Sequence, residues 1–153
     1  MAAIPLLLRD AQPEDATAIA ELFLAARRAA MPWLPTLHSD ADTHAWIAAV
    51  VVPHARVRVA VADGRIAGFL AREDDVVAHL YVDPGRQGRG VGSALLGEAQ
   101  AEGRPLSLHV FERNGAARRF YSGRGFVVAG RRDGSANEEG LPDLVMAWAP
   151  PRP

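Results

Sequence analysis

Leu80-Tyr81-Val82-Asp83-Pro84-Gly85-Arg86-Gln87-Gly88-Arg89-Gly90-Val91-Gly92-Ser93-Ala94-Leu95-Leu96 joins an apolar strand, a turn, a glycine-rich loop and the start of an Ala/Leu helix. Pro84 withdraws a backbone donor, so the strand stops near Val82. The first turn of the following helix leaves its N–H groups unpaired, and its positive end faces whatever fills the loop mouth. Such a place suits an anion. Gly88, Gly90 and Gly92 allow close backbone approach and positive φ, Arg86 and Arg89 add charge that a diphosphate would use, and Ser93 offers a hydroxyl. A dinucleotide fingerprint would need glycine where Ser93 stands, and a Walker loop would need a lysine, which the chain lacks. The plainer alternative is that Gly-Arg-Gly is only a flexible connection.

Working outward, Val76–Val82 is the third strand of a meander. Before it, Val57, Val59 and Val61 alternate with Arg56, Arg58 and Ala60, Asp63-Gly64 has type I′ turn chemistry, and Ile66–Ala71 returns. Strict alternation along the third strand puts Val77, His79 and Tyr81 on one face. Leu6-Leu7-Leu8 reads as a short buried strand. Pro13, Glu14 and Asp15 open a helix to about Arg28, with Ile19, Leu22, Phe23 and Ala26 as its apolar stripe. The Met31–Pro35 stretch breaks it, leaving the Trp33 loop free to line a pocket. Ser39 and Asp42 then cap a second helix carrying Trp46, Ile47 and Val50 as far as Pro53. Downstream come helix Val91–Ala101, strand Leu106–Val110, helix Gly115–Ser122 and strands Phe126–Ala129 and Leu144–Trp148, with Gly130–Pro142 a polar loop. The order β-α-α-β-β-β-α-β-α-β-β implies an α/β sandwich with a mixed sheet.

At 153 residues, 49% hydrophobic and 23% charged, the chain suits one domain with a core. Seventeen basic residues, all arginine, against 18 acidic ones give a net charge of −1, which argues against nucleic acid as a partner. The absence of cysteine removes disulfides, thiolate metal sites and a cysteine acyl-enzyme, and the absence of lysine removes a Schiff base. Met1–Leu8 is apolar but meets Arg9 and Asp10 at once, too short for a signal segment or a membrane span. The expectation is a cytoplasmic protein with no membrane partner. His38, His44 and His54 show no metal-ligand spacing; they read as surface residues, and no metal is expected.

The quoted run resembles the acetyl-CoA pyrophosphate motif of the GCN5-related N-acetyltransferase (GNAT) family: Gln or Arg, two residues, Gly, one residue, Gly or Ala, met here by Gln87, Gly90 and Gly92. Asn114, Ala117, Phe120-Tyr121 and Gly125-Phe126 resemble that family's downstream motif, and the element order agrees from Leu6 to Trp148. The resemblance implies one acyl-CoA N-acyltransferase domain over residues 1–153, Pro150–Pro153 being a frayed tail. Its fold would be α/β, a mixed, mostly antiparallel sheet flanked by helices and splayed between the fourth and fifth strands at Val82 and Val110. The acyl donor would be acetyl-CoA, held by Leu80, Tyr81, Val82, Arg86, Gln87, Gly88, Arg89, Gly90, Val91, Gly92, Ser93 and Asn114. A strand N–H among Leu80–Val82 would polarise the thioester carbonyl. Asn114 would bond the pantetheine arm, cap its helix, or do both.

The implied activity is direct acetyl transfer to a primary amine of a small molecule, amino acid or peptide. A lysine-type amine titrates at about 10.4 and an α-amine at about 8, so a base or a desolvating site is required. Tyr121 stands at the family's place for the proton donor to the departing thiolate; otherwise its ring only packs. His79 and His109 stand where family members often carry a Glu, and each is either a base, by the chemistry of imidazole at neutral pH, or a hydrogen-bonded pocket residue. A water-relayed base is the third option. The acceptor side would be built by Trp33, Leu34 and His38 opposite Asn137, Glu138, Glu139 and Asp143. The carboxylates would draw in a cationic amine, with Trp33 as an apolar or cation-π face; alternatively Glu138 and Glu139 form a solvated turn. Two other functions compete: a non-catalytic acyl-CoA-binding sensor or structural module, and a nucleotide-binding protein using the same loop. The family often forms homodimers through edge strands, though no residue here demands one.

Overall fold

The computed structural model describes residues 5–152; the expectations for the first residues of Met1–Leu8 and for Pro153 concern positions outside that range. Seven strands, β1 (Leu7–Asp10), β2 (Arg56–Ala62), β3 (Arg65–Glu73), β4 (Val76–Val82), β5 (Leu106–Phe111), β6 (Val127–Arg132) and β7 (Asp143–Trp148), form one sheet in the order β1-β2-β3-β4-β5-β7-β6. Every pairing is antiparallel except β4 with β5. That parallel contact registers only at Val76 and Ser107, and the Ser107 N–H donates to the Asp75 carbonyl at 3.0 Å. Beyond it the two strands diverge toward Val82 and Phe111, which is the splay expected between the fourth and fifth strands.

Helices cover both faces. On one lie α4 (Val91–Gln100) and α5 (Gly115–Gly123), over a core that includes Leu70, Leu95, Leu96, Leu108, Phe126 and Met146. The other face carries α1 (Ala16–Ala30) and α2 (Asp40–Trp46), with Ile19, Phe23, Ile47, Val59 and Phe69 between them and the sheet. A strand covered on both sides loses its polar alternation, and β3 is accordingly buried from Ala67 through Arg72.

Local chemistry sets most boundaries. The Ser39 Oγ accepts from the Asp42 N–H at 3.0 Å and starts α2. Asp63 and Gly64 take φ of 52° and 74°, the type I′ turn between β2 and β3. β1 runs from Leu7 to Asp10 with Leu7 exposed, so the short buried strand expected at Leu6–Leu8 is displaced and only partly covered. Three further expectations shift. The helical run after α2 passes through a π-helical turn at Ile47–Val51 into α3 (Val52–His54), so it ends one residue beyond Pro53. The loop expected from Gly130 begins as strand, because β6 continues to Arg132.

The third shift positions the site. Ala71 pairs with His79 but Arg72 pairs with Val77, which leaves Ala78 as an extra residue in β4. This is a β-bulge, and it breaks the alternation. Val77 therefore joins the core under α4, while His79 and Tyr81 face Phe23 of α1. The expectation that all three share a face fails because period-two reading has no place for an added residue.

Candidate active site

A cleft of about 570 Å³ opens where β4 and β5 part. Its walls are Leu80, Tyr81 and Val82 of β4, the loop and helix start at Arg86, Gln87, Gly88, Gly90, Val91, Gly92 and Ser93, and Asn114, Ala117, Phe120 and Tyr121 of the α5 segment. Gly88 and Gly90 have φ of +75° and +81°, with nothing near where a Cβ would stand. The loop is thus shaped by left-handed backbone over open space. Gly92 serves differently: a Cβ there would sit 3.4 Å from the Phe120 ring.

Two contacts brace this loop. The Asp83 carboxylate accepts from the Gly85 N–H at 3.1 Å, and the Gln87 amide donates to the Val82 carbonyl at 3.3 Å. Arg86 lines the cleft but is anchored, its Nη1 donating to the Ala62 carbonyl at 3.2 Å. Arg89 is exposed at the loop and is not among the cleft-lining residues. No acidic residue occupies the first turn of α4, so its N–H groups face the cleft without a competing carboxylate.

Across the cleft, Asn114 Oδ1 accepts from the Ala117 N–H at 3.2 Å and caps α5. Tyr121 is half-buried, its ring edge-on to Phe120 at 5.3 Å and to Phe126 at 5.6 Å. Burial, helped by nearby Tyr81, holds its hydroxyl well above the ordinary tyrosine range. It stays protonated.

A second cavity, of about 770 Å³, lies between α1, α2, their connecting loop and the loop at 133–142. Met31 borders both cavities. Here Arg27 joins three elements: its guanidinium donates to the Tyr81 hydroxyl at 3.3 Å and to the Glu139 carboxylate at 3.4 Å, and it stands over the Phe23 ring at 5.2 Å. His38 meets the Glu138 carboxylate at 3.0 Å across the mouth. His79 lies edge-on to Phe23 at 5.8 Å and to Trp46 at 5.4 Å. Burial, and then the charge of Arg27, lower its pKa to about 4. Its imidazole is neutral near pH 7.

Leu34, Glu138 and Glu139 line this cavity as the sequence suggests, and so does His38. Trp33 does not: it packs edge-on against Phe111 at 5.8 Å and takes the Arg113 guanidinium over its face at 5.0 Å. Asn137 and Asp143 staple their own loop, through Asn137 Nδ2 to the Leu141 carbonyl at 2.7 Å and a 2.5 Å ion pair between Arg132 and Asp143. His109 is exposed on β5 and lines neither cavity. Sequence reasoning missed Phe23, Arg27 and Trp46 as cavity residues. The available signal was Arg27 four residues after Phe23, which puts a cation on the apolar stripe of α1.

The glycine backbone over open space, the unopposed N-terminus of α4 and the capped α5 wall fit the diphosphate and arm of a coenzyme A thioester. Comparison with known proteins agrees. Residues 53–128 match the acetyltransferase (GNAT) domain model. The chain is 28% identical over 143 residues to the peptidyl-lysine N-acetyltransferase YiaC of Escherichia coli (strain K12), covering 93% of this chain and 96% of that protein. A GCN5-related N-acetyltransferase from Rhodopseudomonas palustris superposes with a TM-score of 0.81 at 27% identity, covering 97% of this chain and 98% of its own. The fold is shared too with yncA of Salmonella typhimurium, solved with acetyl-CoA, at a TM-score of 0.70 and 22% identity over 97% of this chain and 96% of that one. The chain belongs to the GNAT family and is an acetyl-CoA-dependent N-acetyltransferase.

Proposed function

We propose that the acceptor is the side-chain amine of a lysine in a peptide or protein. The observation that carries this is the acceptor cavity itself: it adjoins the cofactor cleft at Met31 and presents Glu139, largely buried and held only by a 3.4 Å contact from Arg27. A carboxylate so placed attracts an ammonium. The peptidyl-lysine specificity in the name of the YiaC relative supports the same reading.

Acetyl-CoA supplies the activated acyl group and a thiolate leaving group when bound. The α4 N-terminus and the Gly88–Ser93 loop hold the diphosphate, and the Leu80–Val82 backbone, which lines the cleft, would supply the N–H that meets the developing oxyanion charge. Tyr121, kept protonated by burial, is the proton donor. For the base, His79 offers a neutral nitrogen in the acceptor cavity, and Glu139 or a water held there offers the alternative. His109, outside both cavities, has no support from the geometry for that role.

No helix among the described residues is long and apolar enough to cross a membrane; we place the enzyme in the cytoplasm. Val127 and Val128, exposed on the edge strand β6, support pairing of two copies there. The acceptor assignment is tested by incubating the protein and acetyl-CoA with lysine-containing peptides, free amino acids and simple amines, following thiol release and acetylated product. Peptide lysine acetylated well ahead of free amino acids is the expected result. Turnover confined to free amino acids would overturn it.

A further inference from the structure

Most of the exposed large apolar side chains, Leu7, Val50, Val76, Val127 and Val128, lie away from both cavities. Leu37, 46% exposed, and Trp46, 38% exposed, both line the 770 Å³ acceptor cavity. Bare apolar surface lining a cavity marks a ligand-facing wall. This wall is preformed: the Trp46 ring is fixed edge-on against Phe23 at 5.8 Å and His79 at 5.4 Å. His79, neutral near pH 7, adds no charge to it. The charged side chains that line the same cavity are mostly engaged with partners: Glu139, 12% exposed, with Arg27, which also bonds Tyr81 of β4; Glu138 with His38; and Arg28 with Asp40, leaving Asp42 at the start of α2.

Size argues the same way. A cavity of about 770 Å³ lies within the roughly 300–1,000 Å³ range that encloses drug-sized ligands. One unbranched alkylamine fills only part of it.

We infer that the acceptor carries a bulky apolar group in addition to its amine, seated against Trp46 and Leu37 while the amine enters at the end formed by Glu139 and Met31. This rests on the reading of the 770 Å³ cavity as the acceptor site. The group is either the side chain next to the lysine in a peptide or the body of a small amine. The recognition chemistry is the same.

The test uses the full chain with acetyl-CoA and one lysine peptide in which the neighbouring residue is Gly, Asp, Arg, Leu or Phe, beside free phenethylamine and hexylamine. The Leu and Phe peptides should exceed the Gly peptide in kcat/KM by about tenfold or more. That ratio should fall to within about threefold in Trp46→Ala and in Leu37→Ser. Leu37 lies on a loop outside both cores, so Leu37→Ser decides the matter even where Trp46→Ala fails to fold. Phenethylamine outpacing both hexylamine and the peptides would place the apolar group on a small molecule. Equal rates for all neighbours, or preference only for Asp or Arg, would overturn the inference and leave the acceptor cavity standing. If acetyl-CoA binds and no amine in either series is acetylated, the acceptor-site reading falls and takes this inference with it.

Discussion

Tyr121 and His79 are displaced in opposite directions by one cause, since burial disfavours whichever form is charged. The tyrosine hydroxyl is thereby kept as a donor for a thiolate whose own pKa is near that of a cysteine, about 8.5. Tyr121→Phe keeps the ring against Phe120 and Phe126 and removes the hydroxyl alone. It should lower kcat by about 10²–10⁴-fold with acetyl-CoA affinity nearly unchanged, read from steady-state rates beside calorimetric titration. Full activity in that variant would remove Tyr121 from the reaction. His79 takes up its proton near 6.5 when unfolded and near 4 when folded, so between these values the unfolded chain binds more protons and stability falls as the pH drops. His79→Phe retains the ring and should flatten that part of the stability profile in urea unfolding. A slope as steep as the wild type would mean that His79 is not held neutral. The same pKa puts the acidic limb of the kcat/KM profile near pH 4, lost in His79→Ala, where His79 is the base; an unchanged limb assigns the proton to Glu139 or water.

The docking of α4 onto β3 decides where the anion loop sits. Gly68 of β3 lies under Val91, the first residue of α4, and a Cβ at Gly68 would stand 2.7 Å from Val91 Cγ1 and 3.0 Å from the Tyr81 carbonyl oxygen. Gly68→Ala should therefore cost about 1–3 kcal/mol and also weaken acetyl-CoA binding by displacing the helix start, checked by thermal melts with and without the ligand. An unchanged melting point would show that the sheet yields there freely. Gly68 itself was silent in the sequence, whereas the Ser39 cap, the Asp63-Gly64 turn and the glycine loop were legible. Those three depend on neighbours a few residues away. The Ala78 bulge and the π-helical turn at Ile47–Val51 depend on register against other elements, and nothing local announces them.

At the scale of the molecule, the two cavities lie on either side of Met31. The cofactor side was readable because one contiguous run carries most of its lining. The acceptor side was readable only in outline, because it assembles from α1, α2 and two loops. Trp33 and Trp46 could not be told apart as wall residues until Phe111 and Arg113 were seen to hold the first and Phe23 and His79 the second. The central claim is that the loop at Gln87–Ser93 holds acetyl-CoA for transfer, and thermal unfolding tests it most directly. At about 100 times the dissociation constant, binding adds about 2.7 kcal/mol, a rise on the order of 5–10 °C for a chain of this size. The wild type should show that rise with acetyl-CoA and none with ATP or NAD, and Gly90→Asp, which sets a carboxylate into the open space of the loop, should abolish it. An unchanged rise in Gly90→Asp, or a rise with ATP in place of acetyl-CoA, would contradict it.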